Sequence, residues 1–286
     1  MKKALYIFLF IACSAQVQAQ EEGRLGIFTG VYNSSLMNAN DFHYGDFLPS
    51  YKGMIGLEGG YFVTALRTIP LGITANIGYW GNGQNYKGAY FDSSQYEAFT
   101  RMRYVRGGVA LHTGTNIRRK VAFRIYGGMS VGFLNDFSDR YEHYRANGDT
   151  YLLEIENQDI VEKDTFATYG RLNESYYEKL DYGVFFGGAF DIKVKHNIIF
   201  SIGSRYDMGL AQVENENQLT ATFQSPNGDG TTYLRDIPAV PSAIKYNGPT
   251  IPELNRDVTN NVMWGVFAGL SYRLYNTDKV EMWYKP

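Results

Sequence analysis

The chain has 286 residues, a formal net charge of −2, one cysteine, and an excess of Tyr (24), Phe (18) and Gly (31) over Pro (8). Near-neutral charge excludes a strongly basic nucleic-acid surface, and no apolar run past the N-terminal leader is long enough for a helical membrane span. Aromatic residues favour strands, so the composition points to an all-β chain.

Residues 1–19 read as a secretory leader: Lys2 and Lys3 form the charged region, residues 4–12 the apolar core, and Val17-Gln18-Ala19 the small-residue cleavage site before Gln20. Cys13 after Phe10-Ile11-Ala12 offers acylation as an alternative anchor, although Phe10 stands where a lipoprotein box has Leu. Cleavage before Gln20 removes the only cysteine, and with it disulfide scaffolds, thiolate metal sites and Cys nucleophiles. The expected organisation is a signal peptide at 1–19, a single strand-built domain over 20–275 and a short C-terminal tail at 276–286.

Alternation of apolar and small or polar residues, the mark of a strand whose two faces meet different surroundings, recurs in eight segments: 25–32, 55–64, 71–80, 100–112, 121–135, 180–194, 196–210 and 261–275. In the fourth, Val105, Val109 and Leu111 oppose Arg106, Gly108 and Ala110. In the fifth, Val121, Phe123, Ile125, Met129, Val131 and Phe133 oppose Ala122, Arg124, Tyr126, Gly128, Ser130 and Gly132. The sixth sets Tyr182, Val184, Phe186 and Phe190 against Asp181, Gly183, Gly187 and Asp191; the last two follow the same rule.

Connections alternate in length. Those at 65–70, 113–118 and 195–196 are short, whereas 33–50, 81–96, 135–179 and 212–259 are long and rich in Asn, Asp, Gly, Ser and Tyr. Compact soluble domains seldom carry loops beyond about 12–15 residues. An antiparallel meander puts every second connection at one end, so the pattern predicts an eight-stranded antiparallel up-and-down transmembrane β-barrel with long extracellular loops. Hairpins inside the two longest loops offer a ten- or twelve-stranded alternative.

Residue size decides which face is inside. The polar face carries Gly183, Gly187, Ala189, Gly203, Gly209, Gly265 and Gly269 between its charges, as the narrow interior of a small barrel requires. A register slip of one residue would instead turn Arg124, Arg205 and Arg273 toward lipid, at about 2–4 kcal/mol for each at mid-bilayer. Inward, Glu58, Asp181, Asp191 and Asp207 are expected to pair with Arg106, Arg124, Lys193, Arg205 and Arg273, filling the lumen with a charge network. Tyr79, Tyr182, Tyr206, Trp264 and Tyr272 fall on the outward face as an expected aromatic girdle; Arg101 and Arg103 lie beyond it, either as solvated charges or against lipid headgroups.

The leader's end "AQVQAQ", the run "YGVFFGGAFDIKVKHNIIFSIGSRYDMGL" and the closing "WGVFAGLSYRLY" resemble small outer-membrane β-barrel proteins, and among them the PorT-like outer-membrane β-barrel domain family. The resemblance implies insertion from the periplasm by the barrel-assembly machinery, an outer membrane of a Gram-negative bacterium with its lipid and lipopolysaccharide as surroundings, and a terminal strand ending in an aromatic such as Tyr275. Here "NTDKVEMWYKP" follows that aromatic.

Chemistry is sparse. His143 in "DRYEHYR" has Ser138, Asp139 and Glu142 nearby, and His43 is the other outer-side histidine, while His112 and His196 fall at the periplasmic end. Neighbours in a loop seldom form a positioned nucleophile and base, and neither 156–164 nor 226–230 has the ligand spacing of a calcium loop. The reading is of a non-enzyme without cofactor or metal. Loop tyrosines Tyr141, Tyr144, Tyr151, Tyr169 and Tyr233 supply either an adaptable surface for a protein or glycan partner or merely the packing of loop hairpins. The expected function is structural or binding, with the barrel as anchor; a component of a transport or secretion complex and, after it, a lipid-modifying enzyme are the alternatives.

Overall fold

The computed structural model describes residues 20–37, 47–65, 69–89, 95–115, 120–163, 167–195, 197–214, 219–224, 232–237 and 258–274. The expected leader with Cys13, the tail 276–286, Tyr275, His43, His196 and the turn 226–230 lie outside the described residues.

In chain order the strands are β1 (Gln20–Met37), β2 (Phe47–Leu48), β3 (Ser50–Ala65), β4 (Ile69–Ala89), β5 (Gln95–Gly114), β6 (Val121–Tyr144), β7 (Thr150–Glu156), β8 (Asp159–Lys163), β9 (Ala167–Leu172), β10 (Leu180–Lys195), β11 (Ile198–Gly209), β12 (Leu219–Gln224), β13 (Thr232–Ile237) and β14 (Asn260–Arg273). All pairings are antiparallel. Eight strands close a ring in the order β1, β3, β4, β5, β6, β10, β11, β14, with β14 returning to β1 from Arg24↔Arg273 to Met37↔Asn260. This is an eight-stranded up-and-down barrel; the loop hairpins add no strand to the ring.

Its two faces follow the alternation. Leu25, Ile27, Val31, Ile55, Leu57, Ile77, Leu111, Met129 and Phe186 are exposed outward, while Phe28, Tyr32, Met54, Trp80 and Met263 are buried inside. Large inward side chains sit beside glycines on the neighbouring strand. Tyr126 pairs with Gly187, and Tyr32 with Gly265. A Cβ on Gly187 would fall 2.5 Å from the Tyr126 hydroxyl. Glycine there makes room for the aromatic ring, which offsets its weak strand propensity.

One expectation needs correction: residues 81–96 are not a long loop. β4 runs on to Ala89 and β5 resumes at Gln95. The alternation is hidden because the outward positions Asn85 and Lys87 are as polar as the buried inward Asn82 and Gln84. β6 has 24 residues, more than twice the roughly 9–11 that cross a bilayer. β7, β8, β9, β12 and β13 continue the sheet from its outer half. The β7–β8 turn places Asn157 at φ 55°, the left-handed conformation a tight hairpin needs and Asn tolerates. This outer lobe has its own core, including Tyr86, Met102, Phe137, Ile155, Tyr177 and Phe223.

Candidate functional site

The lumen holds two tiers of charge. In the periplasmic tier Asp191 accepts from Arg24 Nη1 (2.5 Å), Arg124 Nε (3.1 Å) and Ser201 Oγ (2.8 Å). Glu22 pairs with Arg24 and, at 2.7 Å, with Arg273; Glu58 lies 3.6 Å from Arg124. His112 sits between the Thr74 hydroxyl and Arg124, whose Nη1 is 3.3 Å from Nδ1. In the outer tier Arg106 pairs with Asp181 and lies 3.8 Å from Asp207. Arg205 binds Asp207 through two nitrogens, at 2.8 and 2.7 Å, and its guanidinium lies 3.6 Å from the Phe185 ring centre. Asn261 Nδ2 donates to Asp181 at 3.0 Å.

Five arginines thus meet five carboxylates among the described lumen residues: Arg24, Arg106, Arg124, Arg205 and Arg273 against Glu22, Glu58, Asp181, Asp191 and Asp207. Matching matters because an unpaired charge in a dry interior costs several kcal/mol. Of the residues singled out in the sequence, Lys193 differs. It lies at a bulge beside Lys195 on the periplasmic rim and is only half-buried. Glu22 and Arg24 escaped the sequence reading because they precede the apolar stretch that starts at Leu25; their even-numbered parity with Phe28 and Tyr32 was the available signal. Phe28, Phe185, Tyr126 and Phe267 pack between the tiers around a cavity of about 20 Å³, and a second of about 10 Å³ lies in the periplasmic tier beside Arg24, His112 and Asp191, room for about one water each.

On the outer wall Tyr79, Tyr182, Trp264 and Tyr272 are exposed and Tyr206 is half-buried against Phe186, with ring centres 5.1 Å apart. Tyr272 lies at the periplasmic end beside Asn197; Tyr182, Tyr206 and Trp264 lie toward the outer end of their strands, and Tyr79 is midway along β4. Loop tyrosines divide. Tyr144 and Tyr169 are exposed, and Tyr151 is half-buried with its hydroxyl 2.8 Å from Glu162. Tyr141 is a correction: it is buried, ring against Tyr96 and Tyr151, so it serves packing and presents nothing to a partner. The Tyr233 side chain lies outside the described residues.

Ser138 and Asp139 are consecutive strand residues and therefore face opposite sides of β6. Asp139 is buried, both its oxygens accepting from the Tyr177 hydroxyl at 3.0 Å. His143 lies four residues further along the strand, roughly 13 Å away. These groups do not assemble a triad.

A closed ring of strands, apolar outside and charge-paired within, defines an integral membrane β-barrel. The chain belongs to the outer membrane protein beta-barrel domain family, whose sequence profile matches residues 15–215, and it resides in the outer membrane of a Gram-negative bacterium. Among solved structures it is similar to a major outer membrane protein from Thermus thermophilus, with 11% identity over 88% of this chain and 99% of that one and a TM-score of 0.40. Neisserial surface protein A gives 10% identity over 89% and 98%, with a TM-score of 0.31. The outer membrane protease OmpT of Escherichia coli gives 11% over 90% and 96%, with a TM-score of 0.28. Likeness this distant carries no argument about activity. No curated protein sequence matches significantly.

Proposed function

We propose that the barrel is a closed anchor and the outer lobe the working part of a binding protein whose partner is an extracellular protein or glycan. The observation that carries this reading is the lobe itself: an aromatic core built on β4, β5 and β6 beyond the apolar belt, over a lumen filled by paired charges and aromatic rings, with cavities beside His112 that hold about one water each. Tyr144 and Tyr169 are exposed on it, and tyrosine supplies large contact area at small entropic cost. Folding the lobe orders many residues that anchoring alone does not need. Lipopolysaccharide surrounds the barrel, the aromatic girdle sets its depth, and the assembly machinery inserts it from the periplasm.

The second reading, a component of an outer-membrane transport or secretion complex, draws on the PorT-like wording of residues 182–210. Photoreactive residues placed in living cells at Tyr169, at Tyr144 and at the periplasmic Thr115 separate the two. Cross-links from Tyr169 and Tyr144 to an extracellular protein or glycan are expected. Cross-links from Thr115 alone, to a stoichiometric envelope partner, support the second reading, and none at any position would sink both.

A further inference from the structure

The outward face of the lobe carries a trough of about 610 Å³ across β5, β6, β7 and β8, lined by Glu97, Phe99, Glu142, Glu154, Glu156 and Asp159 among others. It lies on the side of the sheet opposite the aromatic core: Phe99, Arg140, Glu154 and Val161 stand in one cross-strand row, while Leu153, Ile155 and Ile160 point the other way, into the core. Tyr169, exposed on β9, continues the row beyond Val161. Tyr144 borders the other end, its hydroxyl donating to Glu142. Phe99 is six residues beyond Val105 on β5, roughly 20 Å further out, so the trough opens to the aqueous exterior and not to hydrocarbon.

Its charges are unevenly matched. Five outward carboxylates, Glu97, Glu142, Glu154, Glu156 and Asp159, share the trough with Arg101 and Arg140; Asp139 turns inward, to Tyr177. Arg140 pairs with Glu142 and lies 3.4 Å from Glu154, and Lys87 at the rim lies 2.5 Å from Glu97. Glu156 and Asp159 make no ion pair among the described residues; Arg171 stands opposite Asp159 in register but turns its Nη2 to Gln158, at 3.3 Å. Yet Glu156 and Asp159 face each other directly across β7 and β8, as Glu97 and Glu142 do across β5 and β6. Like charges in directly opposed positions destabilise a sheet, so the lobe keeps two such pairs against its own stability. They do not converge on one point: among the described residues no group of three or more acidic, histidine or cysteine side chains could hold a metal ion. The two pairs are about four residues apart along the strands and two strands apart across them, a diagonal of roughly 16 Å. That spread suits a chain, since a single ion needs its carboxylates drawn together.

We infer that the trough receives an extended, basic segment of a partner protein, with one cationic side chain at the Glu156–Asp159 pair, a second about five residues along at the Glu97–Glu142 pair, and an apolar side chain between them on Phe99 and Val161. The inference rests on the lobe's being a binding surface and narrows its partner. Acidic glycans are repelled by the carboxylates, whereas an extended protein segment brings cations at a fixed spacing, which the trough complements. Arg140, held by Glu142 and Glu154, neutralises the centre. The Lys87–Glu97 pair is exposed and so worth little, which leaves Glu97 open to a second cation.

The test uses full-length protein in lipid nanodiscs and three fluorophore-labelled peptides of the same Thr- and Val-rich background: one with two arginines about five residues apart, one with glutamates in their place, and one with the two arginines adjacent. Anisotropy titrations read the affinity. Wild type should bind the spaced-arginine peptide about tenfold more tightly than either other, the yield of two exposed charge contacts made together. Glu156→Gln with Asp159→Asn should erase that preference, while amide exchange of β7 and β8 stays as slow as in wild type or slows further, because the substitutions relieve a like-charge pair. Glu174→Gln with Asp149→Asn, which removes two exposed carboxylates outside the trough, should leave the preference intact. Equal binding of the three peptides, an equal loss in the Glu174 and Asp149 double variant, or faster exchange after Glu156→Gln with Asp159→Asn would each overturn the assignment. Cross-links from Tyr144 and Tyr169 to an extracellular protein that persist undiminished in the Glu156 and Asp159 double variant would also overturn it, while leaving the lobe's binding role standing.

Discussion

Arg106 lies between Asp181 and Asp207, and all three are buried. Arg106→Met strands two carboxylates in a closed interior, a loss of about 3–5 kcal/mol, seen as a lower urea midpoint for unfolding in lipid vesicles. Arg106→Met combined with Asp181→Leu should recover part of that loss. Asp139 behaves in the opposite sense. Burial pushes its carboxyl up to about 7, and Glu214 adds to the rise. An unfolded Asp titrates near about 4, so between about pH 4 and 7 the folded lobe holds a proton that the unfolded chain releases. Stability of the lobe therefore falls as pH rises through that window and levels off above it. Amide exchange of β6 and β7, corrected for intrinsic rates, should quicken from pH 5 to pH 8 in wild type and stay flat in Asp139→Asn. At this scale the inward charges from Arg106 to Arg273 were legible because each interrupts an apolar alternation. Glu22 and Arg24 were not, since they precede the first apolar residue of their strand.

Strands inside the bilayer were legible for a physical reason: lipid on one side and a narrow lumen on the other impose opposite demands on successive residues. Above the bilayer water replaces lipid, the outward face goes polar, and the alternation that marks β4 and β5 fades while their hydrogen bonds continue unbroken to Ala89↔Gln95. That is why the outer extensions read as loops. Closure of the ring depends on small residues at the β1–β14 seam. A Cβ on Gly265 would collide with Tyr32 Cβ and the Val31 carbonyl. Gly265→Val should accordingly abolish the heat-modifiable band, whereas Ala268→Val, on the lipid side of the same strand, should leave it in place.

The whole molecule is a filled cylinder carrying an aromatic superstructure. With cavities of about one water's size among the paired lumen charges, vesicles containing the purified protein should swell in isosmotic sugar no faster than empty ones; rapid swelling would show a path that the packed lumen denies. The fold's outline was available from sequence, but the lobe's separate core was not, because its members come from β1, β4, β5, β6, the short strands β7, β8, β9 and β12, and the non-strand residues Tyr176, Tyr177 and Val213, whose mutual placement no local pattern encodes.

The ring's walls are of unequal height. β4, β5 and β6 run 21, 20 and 24 residues, whereas β11 and β14 run 12 and 14. A body with one tall flank and one low flank has a compass bearing within the membrane plane. Neighbours diffusing in from the tall flank meet the lobe's overhang, so crowding alone would sort which side of the protein each neighbour can reach.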